Sequence, residues 1–428
     1  MRLLQKIGFL LGLAVLFAGC AGNTIFPNIP LTLDPIVLAN PIALAVGSTS
    51  QRLYVVNSNN QVLWLDASFV ILELSDPVHP TAIAAISIPN FSGNMILDEA
   101  RGFVYLPNRQ SPTDTNLNEQ LLRININEAS PDFLHVDVFA SGFNPFGAYY
   151  DGVGSLFVAA IQEGLRYNVD DLSGYTLADL AVTDSSQGPD FNAEGTRELS
   201  LSSSGNFLFV TNRTDNMLIL DVNQFTAPTG PGQFTLGTEP VDYIVTGTNS
   251  TRGAARDANF IYIVDGAPPN LRIMTDSGLV PVSGPPQEIT TGSMQVAAIP
   301  LGLDPGEVIL DETLGRAYVS NTGSDDVSVI DLNLQTEIDR VPVDQNLPLD
   351  VQPGDEPFAM ATANIGGVNF LYVANYDSDN ITVINADTLS VVNAFPQIVV
   401  DDEEDEKNNP SNNFFDDPNN PSPGFDNI

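Results

Sequence analysis

One short strand motif recurs seven times along the chain, and nothing else in the sequence constrains the fold as tightly. It reads Tyr54-Val55-Val56-Asn57, Tyr105-Leu106-Pro107-Asn108, Phe157-Val158-Ala159-Ala160, Phe209-Val210-Thr211-Asn212, Tyr262-Ile263-Val264-Asp265, Tyr318-Val319-Ser320-Asn321 and Tyr372-Val373-Ala374-Asn375. The steps between the aromatic residues are 51, 52, 52, 53, 56 and 54. A fixed period of this size marks a repeat architecture, so the 428 residues read as one repetitive unit rather than as three separate domains.

Each copy has the same neighbours. An apolar stretch and a turn precede it, as in Met95-Ile96-Leu97-Asp98 and Val308-Ile309-Leu310-Asp311. A polar turn and an alternating strand follow, as in Met217 to Asp221, Val327 to Asp331 and Ile381 to Asn385. A fourth apolar segment closes the unit, as in Leu134 to Phe139, Glu337 to Val343 and Leu389 to Phe395. These segments are rich in β-branched and aromatic residues and are separated by Gly, Asn, Asp and Pro, which describes short antiparallel strands. No sustained 3.6-residue apolar period follows the first twenty residues, so helix is expected to be scarce. A four-stranded sheet with two apolar faces cannot bury both alone, but a ring of such sheets can. The expected fold is all-β, a seven-bladed β-propeller of four-stranded antiparallel blades over residues 40–400.

The motif resembles the YVTN β-propeller repeat, whose core is Y-V-T-N, a few polar residues, then V-S-V-I-D. Tyr318 to Asp331 and Tyr372 to Asn385 match well, Phe209 to Asp221 nearly as well, and the copies at 105, 157 and 262 less so. The resemblance spans residues 40–396 and implies fold, not function. The family repeat is commonly shorter than 50 residues, so the excess here is assigned to longer loops. Leu31 to Leu38 precedes the first inner strand, Ile42 to Val46, and is expected either to close the ring beside Leu389 to Phe395 or to be a linker.

At the N-terminus, Arg2 and Lys6 precede the apolar run Ile7 to Ala18, too short for a membrane span, and residues 1–19 read as a secretory signal. The run ends in Leu16-Phe17-Ala18-Gly19-Cys20, which resembles the lipobox of bacterial lipoproteins, with Phe17 where Leu is commoner. The resemblance implies cleavage before Cys20, the single cysteine, and lipidation of it, leaving residues 20–39 as a lipidated linker or closing strand. The alternative is an ordinary signal with an incidental cysteine. Acyl chains hold a protein on a bilayer at about 0.8 kcal/mol per buried methylene. Because Ala21 is not Asp, the same resemblance points to the outer membrane of a cell that has two. Residues 401–428 open with six consecutive acids and carry nine acids against one Lys, a tail expected to be disordered.

The formal net charge of -38 excludes nucleic acid as a partner, since a phosphate backbone requires clustered Lys and Arg. The two lysines, Lys6 and Lys407, stand near the ends, so no lysine is available in the body for a Schiff base or a P-loop. One Cys and two His exclude Cys/His zinc sites and CxxCH haem attachment. G-x-S-x-G, GxGxxG and HExxH are absent. His79 and His135 read as structural or solvated. Asp325 and Asp326, and one repeat later Asp377 and Asp379, crowd equivalent strand connections. Oxygen ligands in a short turn suit calcium, and Asp also favours tight turns because its side chain caps the local backbone. No other cofactor is expected.

The reading is a membrane-anchored, non-catalytic platform of the bacterial cell envelope, held by its N-terminal lipid and binding a protein, glycan or other envelope polymer. A lactonase-like or metal-assisted hydrolase using acids at the propeller face is the alternative. The long segments Gln110 to Glu119, Asp184 to Glu194, Thr246 to Asp257 and Leu279 to Gly292 are expected to emerge on the binding face, in connections after second and fourth strands.

Overall fold

The structure is a computed structural model that describes residues 38–58, 67–88, 91–109, 120–142, 145–160, 163–180, 196–213, 216–225, 234–236, 241–283, 286–345, 347 and 351–396. It is a seven-bladed β-propeller, and the helical residues among those described are two short turns, Thr291–Ser293 and Thr322–Ser324. No helix among the described residues is long and apolar enough to cross a membrane.

Each blade begins with an inner strand and steps outward through antiparallel neighbours. Blade one is Pro41–Gly47, Arg52–Asn57, Ala67–Glu73 and Thr81–Ile88. Blade two splits its inner strand into Phe91–Ser92 and Ile96–Asp98, then runs through Phe103–Arg109, Gln120–Asn125 and Val136–Ala140. Blade three is Gly147–Tyr150, Ser155–Ala160, Glu163–Asn168 and Asp171–Asp179, and blade four is Thr196–Leu201, Phe207–Asn212, Met217–Asp221 and Val241–Thr246. Thr251–Arg256, Ile261–Gly266, Pro269–Met274 and Gln295–Pro300 form blade five. Blade six is Pro305–Asp311, Arg316–Asn321, Asp326–Asp331 and Thr336–Pro342, and blade seven is Pro357–Ile365, Val368–Asn375, Asn380–Asn385 and Ser390–Phe395.

All seven motif aromatics lie in second strands and are at most 2% exposed. Second strands have neighbours on both edges and on both faces, so a large ring there is buried whichever blade it belongs to. The core lies in the seams between blades. Tyr54, Phe69 and Ile86 of blade one pack with Val104, Leu122 and Ile124 of blade two, while Leu53, Val55 and Leu72 on its other face pack with Phe370, Tyr372 and Phe395 of blade seven. That second seam joins the ends of the described chain. It is reinforced by Tyr372 Oη donating to the Pro77 carbonyl (2.9 Å) and Asn393 Nδ2 donating to the Val78 carbonyl (2.7 Å). Blade seven draws its four strands from residues 357–395. The closing strand expected at Leu31 to Leu38 lies outside the described residues except for Leu38, which is buried in this same seam.

Besides the split inner strand of blade two, two blades gain a fifth strand. Phe234–Leu236, from the third-to-fourth connection of blade four, adds a parallel fifth strand to the outer edge of blade three. Gln287–Thr290, from the same connection of blade five, does so for blade four. Thus Leu279 to Gly292 is not a face loop after a second or fourth strand: it leaves from a third strand and supplies an edge with backbone partners that would otherwise be water. Thr246 to Asp257 is corrected too, since half of it is the inner strand of blade five. Gln110 to Glu119 and Asp184 to Glu194 lie outside the described residues, as do residues 1–37, Cys20 among them, and the tail 401–428.

Candidate functional site

Second-to-third turns and the connections into inner strands share one face, and at the seam of blades six and seven that face is crowded with carboxylates. The turns are equivalent: Asn321-Thr322-Gly323-Ser324-Asp325 and Asn375-Tyr376-Asp377-Ser378-Asp379. Asp325 and Asp379 both adopt left-handed backbone (φ 51° and 54°), which a short polar side chain tolerates better than a bulky one. This turns each carboxylate onto the next blade. Asp325 Oδ1 accepts the Glu356 backbone N–H (3.0 Å), and Asp379 Oδ1 accepts that of Asn40 (2.6 Å).

The receiving residues are themselves unusual. Asn40, Asp304 and Glu356 immediately precede Pro41, Pro305 and Pro357, and all three are left-handed (φ 48°, 49° and 52°). A residue before proline is normally driven to extended backbone, and a glutamate rarely takes positive φ. Each is held by its own carbonyl, which accepts the N–H of Ser58 (3.0 Å), Thr322 (3.2 Å) or Tyr376 (2.9 Å) just past the motif asparagine of the same blade.

The acids brought together are therefore Asp325, Asp355, Glu356, Asp377 and Asp379, with Asp304 beside them and paired to Arg252 at 2.5 Å. Loss of water around Asp355, then a hydrogen bond and like charge from Asp325, push its carboxyl up to about 6. Burial followed by repulsion from Asp377, Asp355, Asp325 and Asp304 raises Glu356 to about 7. Burial raises Asp379 to about 6; the Asn40 N–H opposes the shift and Asp377 adds to it. Of the four acids expected at this face, Asp325, Asp377 and Asp379 converge. Asp326 does not. It is buried beneath the turn, accepts from Asn321 Nδ2 at 2.6 Å, and holds the third strand to the second. Asn375 does the same through Asn380 Oδ1 (2.7 Å) and Thr382 Oγ1 (2.8 Å), and Asn57 through Ser68 Oγ (3.0 Å). In these three blades the recurring asparagine is a strand clasp.

Sequence reasoning missed Asp304, Asp355 and Glu356. They lie in connections about a strand pair away from Asp325 and Asp377, and only the ring packing brings them together. A signal was nonetheless present in the repeated Asn40-Pro41, Asp304-Pro305 and Glu356-Pro357 pairs ahead of inner strands.

The opposite face is built differently. There arginines bind acids or carbonyls of a neighbouring blade: Arg52 to Glu128 (2.9 Å), Arg101 to Asp170 (3.3 Å), Arg166 to the Phe225 carbonyl (2.5 Å) and Arg316 to the Ala386 carbonyl reach the next blade, and Arg256 reaches back to the Ser202 carbonyl (2.6 Å). Five of the thirteen arginines are spent on seams of that face, and at the carboxylate cluster Arg252 pairs with Asp304, leaving the other carboxylates at blades six and seven to set a negative field. Among the described residues, no three His, Cys, Asp or Glu side chains are placed to hold a metal ion together. His79 and His135 are in blades one and two, beside Asp76 (3.2 Å) and Asp137 (3.4 Å), away from this seam.

No family model matches the chain, and no curated protein matches it. Solved structures do. Hydrazine synthase from Kuenenia stuttgartiensis is similar with a TM-score of 0.55 at 13% identity, over 82% of this chain and 97% of that one. A functionally unknown protein from Desulfotomaculum acetoxidans is matched with a TM-score of 0.47 at 14% identity, over 71% of this chain and 85% of the other. At 13% identity, the first likeness is one of fold.

Proposed function

We propose that this chain is a YVTN-type propeller of the bacterial cell envelope, anchored through a lipid on Cys20, and that it binds a cationic or calcium-bridged partner at the face of blades six and seven without catalysing a reaction. The observation that carries the reading is the separation of charge. Carboxylates converge on one face at blades six and seven, whereas arginines on the other face are engaged in seams between blades. A negative field of this kind draws cations and cationic segments of an envelope protein or polymer and raises their rate of encounter. The sole cysteine at a lipobox-like site supports the anchor, and Ala21, where an Asp would mark retention at the inner membrane, favours the outer membrane by the same resemblance.

The binding test uses Asp355→Asn, Glu356→Gln and Asp377→Asn combined, which keeps the latch carboxylates Asp325 and Asp379 themselves in place. Calorimetric titration with spermine and with calcium chloride should show weaker binding than in the parent protein. The control combines Asp132→Asn and Glu312→Gln, exposed acids in turns of the other face, and should leave both titrations unchanged. Equal loss in both sets, or loss in neither, overturns the binding face. Cys20→Ala should shift the protein from membrane to soluble fractions, and an intact mass without acyl chains on the parent protein overturns the anchor.

A further inference from the structure

The inner strands border the central bore, and several bulge near their starts. In blades four to seven the pairing breaks between Thr196 and Leu199, Thr251 and Ala254, Pro305 and Val308, and Pro357 and Met360. A bulge frees a residue from the ladder and re-aims its side chain. Asn94, Glu198 and Glu307 occupy one equivalent position, each eleven residues ahead of the motif aromatic of its blade. All three reach the inner strand of the following blade, at Ala148, Ala254 and Met360. Those three are equivalent in turn, each paired with the residue after the next motif aromatic: Val158, Ile263 and Val373.

Asn94 makes two bonds to its target. Its Oδ1 accepts the Ala148 N–H (2.8 Å) and its Nδ2 donates to the Ala148 carbonyl (3.2 Å). Glu198 Oε2 accepts the Ala254 N–H at 3.4 Å, and Glu307 Oε2 accepts the Met360 N–H at 2.5 Å. A carboxylate can only accept, so where Asn94 offers an amide to a carbonyl, an ionised glutamate offers a second negative oxygen. A protonated carboxyl has one acceptor and one donor, as the amide does.

The nearby charges do not neutralise the pair. Arg197, beside Glu198, lies over the Phe146 ring of blade three, 4.5 Å from its centre. Arg252, on the strand that receives Glu198, turns to Asp304 and to the Pro305 carbonyl. The inner strand that receives Glu307, Pro357–Ile365, contains no titratable side chain, and the acid leading into it is Glu356. The two glutamates thus lie within reach of each other's charge. Burial pushes both carboxyls up, Glu307 further still because Glu198 repels it.

We propose that Glu198 and Glu307 are proton-operated clasps of the bore: protonated, each grips the next blade with two hydrogen bonds as Asn94 does, and loss of the proton loosens blades four to seven. The inference is independent of the partner-binding reading. The clasp makes the bore a pH-sensitive element of an otherwise rigid ring.

The test is thermal melting of the full chain from pH 5 to pH 8 with Glu198→Gln, Glu307→Gln and the double variant, with infrared detection of protonated carboxyl groups. Glutamine supplies the amide of Asn94 permanently, so each variant should match the parent at pH 5 and melt at a higher temperature at pH 8, the double variant most of all. The parent should show a carboxylic acid band at pH 7 that weakens in each variant. A glutamine variant that melts below the parent at pH 8, or an unchanged acid band, overturns the proposal. So does calcium chloride stabilising the parent but not the double variant at pH 8, since a cation and not a proton would then join the pair.

Discussion

Asp379 Oδ1 lies 2.6 Å from the backbone nitrogen of Asn40, joining residues 339 positions apart at the seam of the last blade and the first. It repeats the Asp325 to Glu356 contact one blade earlier, at 3.0 Å. Ring closure at this face therefore uses the same latch as an ordinary seam, an aspartate in a second-to-third turn that caps the start of the next inner strand. Both aspartates were expected as ligand-binding acids, and the structure gives each a latch to perform before any ligand is considered.

At pH 5, where Asp379 is mostly protonated, replacing it with Ala should destabilise the protein by about 1 kcal/mol, the usual net worth of a hydrogen bond, and by less at pH 8, where its charge is disfavoured in the fold. Asp379→Asn keeps an acceptor oxygen and should lose less. Denaturant melts of the two variants distinguish them, and equal losses would mean that charge, not the hydrogen bond, is the contribution.

Stability should fall as pH rises through the weakly acidic range. Asp355 and Asp379 titrate near 6 and Glu356 near 7 in the folded protein, above their ordinary values near 4. Between those limits the folded state binds more protons than the unfolded one, so their contribution is greatest near pH 4 and declines toward pH 7. Against the opposing pull of burial, backbone N–H bonds hold Asp151, and chiefly the hydroxyls of Ser204 and Ser203 hold Asp276, below the ordinary carboxylate range, and the stability they add is lost only as pH drops below about 4. The melting temperature should accordingly be higher at pH 5 than at pH 8. Asp377→Asn removes a like charge from all three raised acids and should make the decline shallower.

Gly354 lies against the motif asparagine of blade seven. A Cβ there would stand 2.5 Å from Asn375 Nδ2 and 2.8 Å from Thr382 Oγ1, both within the strand clasp. Gly354→Ala should cost about 1–3 kcal/mol, the usual penalty for overpacking a buried site. Gly154→Ala, where nothing lies within 4 Å, is the matched control and should leave the melt nearly unchanged.

Deleting residues 401–428 should leave the melting temperature nearly unchanged, since six leading acids and an Asn- and Pro-rich remainder contain too little apolar surface to pack. Differential scanning calorimetry of the truncated chain checks this, and a large drop would show that the tail docks on the ring.

By itself the sequence determined the blade number, the position of each second strand and the burial of Tyr54 through Tyr372, because a motif that must fit between neighbours on every side repeats at a readable period. Inner and outer strands followed from their offsets to that motif. Tertiary structure alone decided which acids share a seam. Asp325 and Glu356 are 31 residues apart and belong to different blades, and no local pattern reports that one caps the other. It likewise decided that Leu279 to Gly292 crosses to the edge of blade four, since a strand adds wherever backbone donors and acceptors are left open, and that condition exists only after the blades have formed. The role of Glu198 and Glu307 was hidden for the same reason: an acid in an inner strand acquires its chemistry from the blade that follows, through the dielectric, the backbone donor and the second charge that ring closure brings beside it.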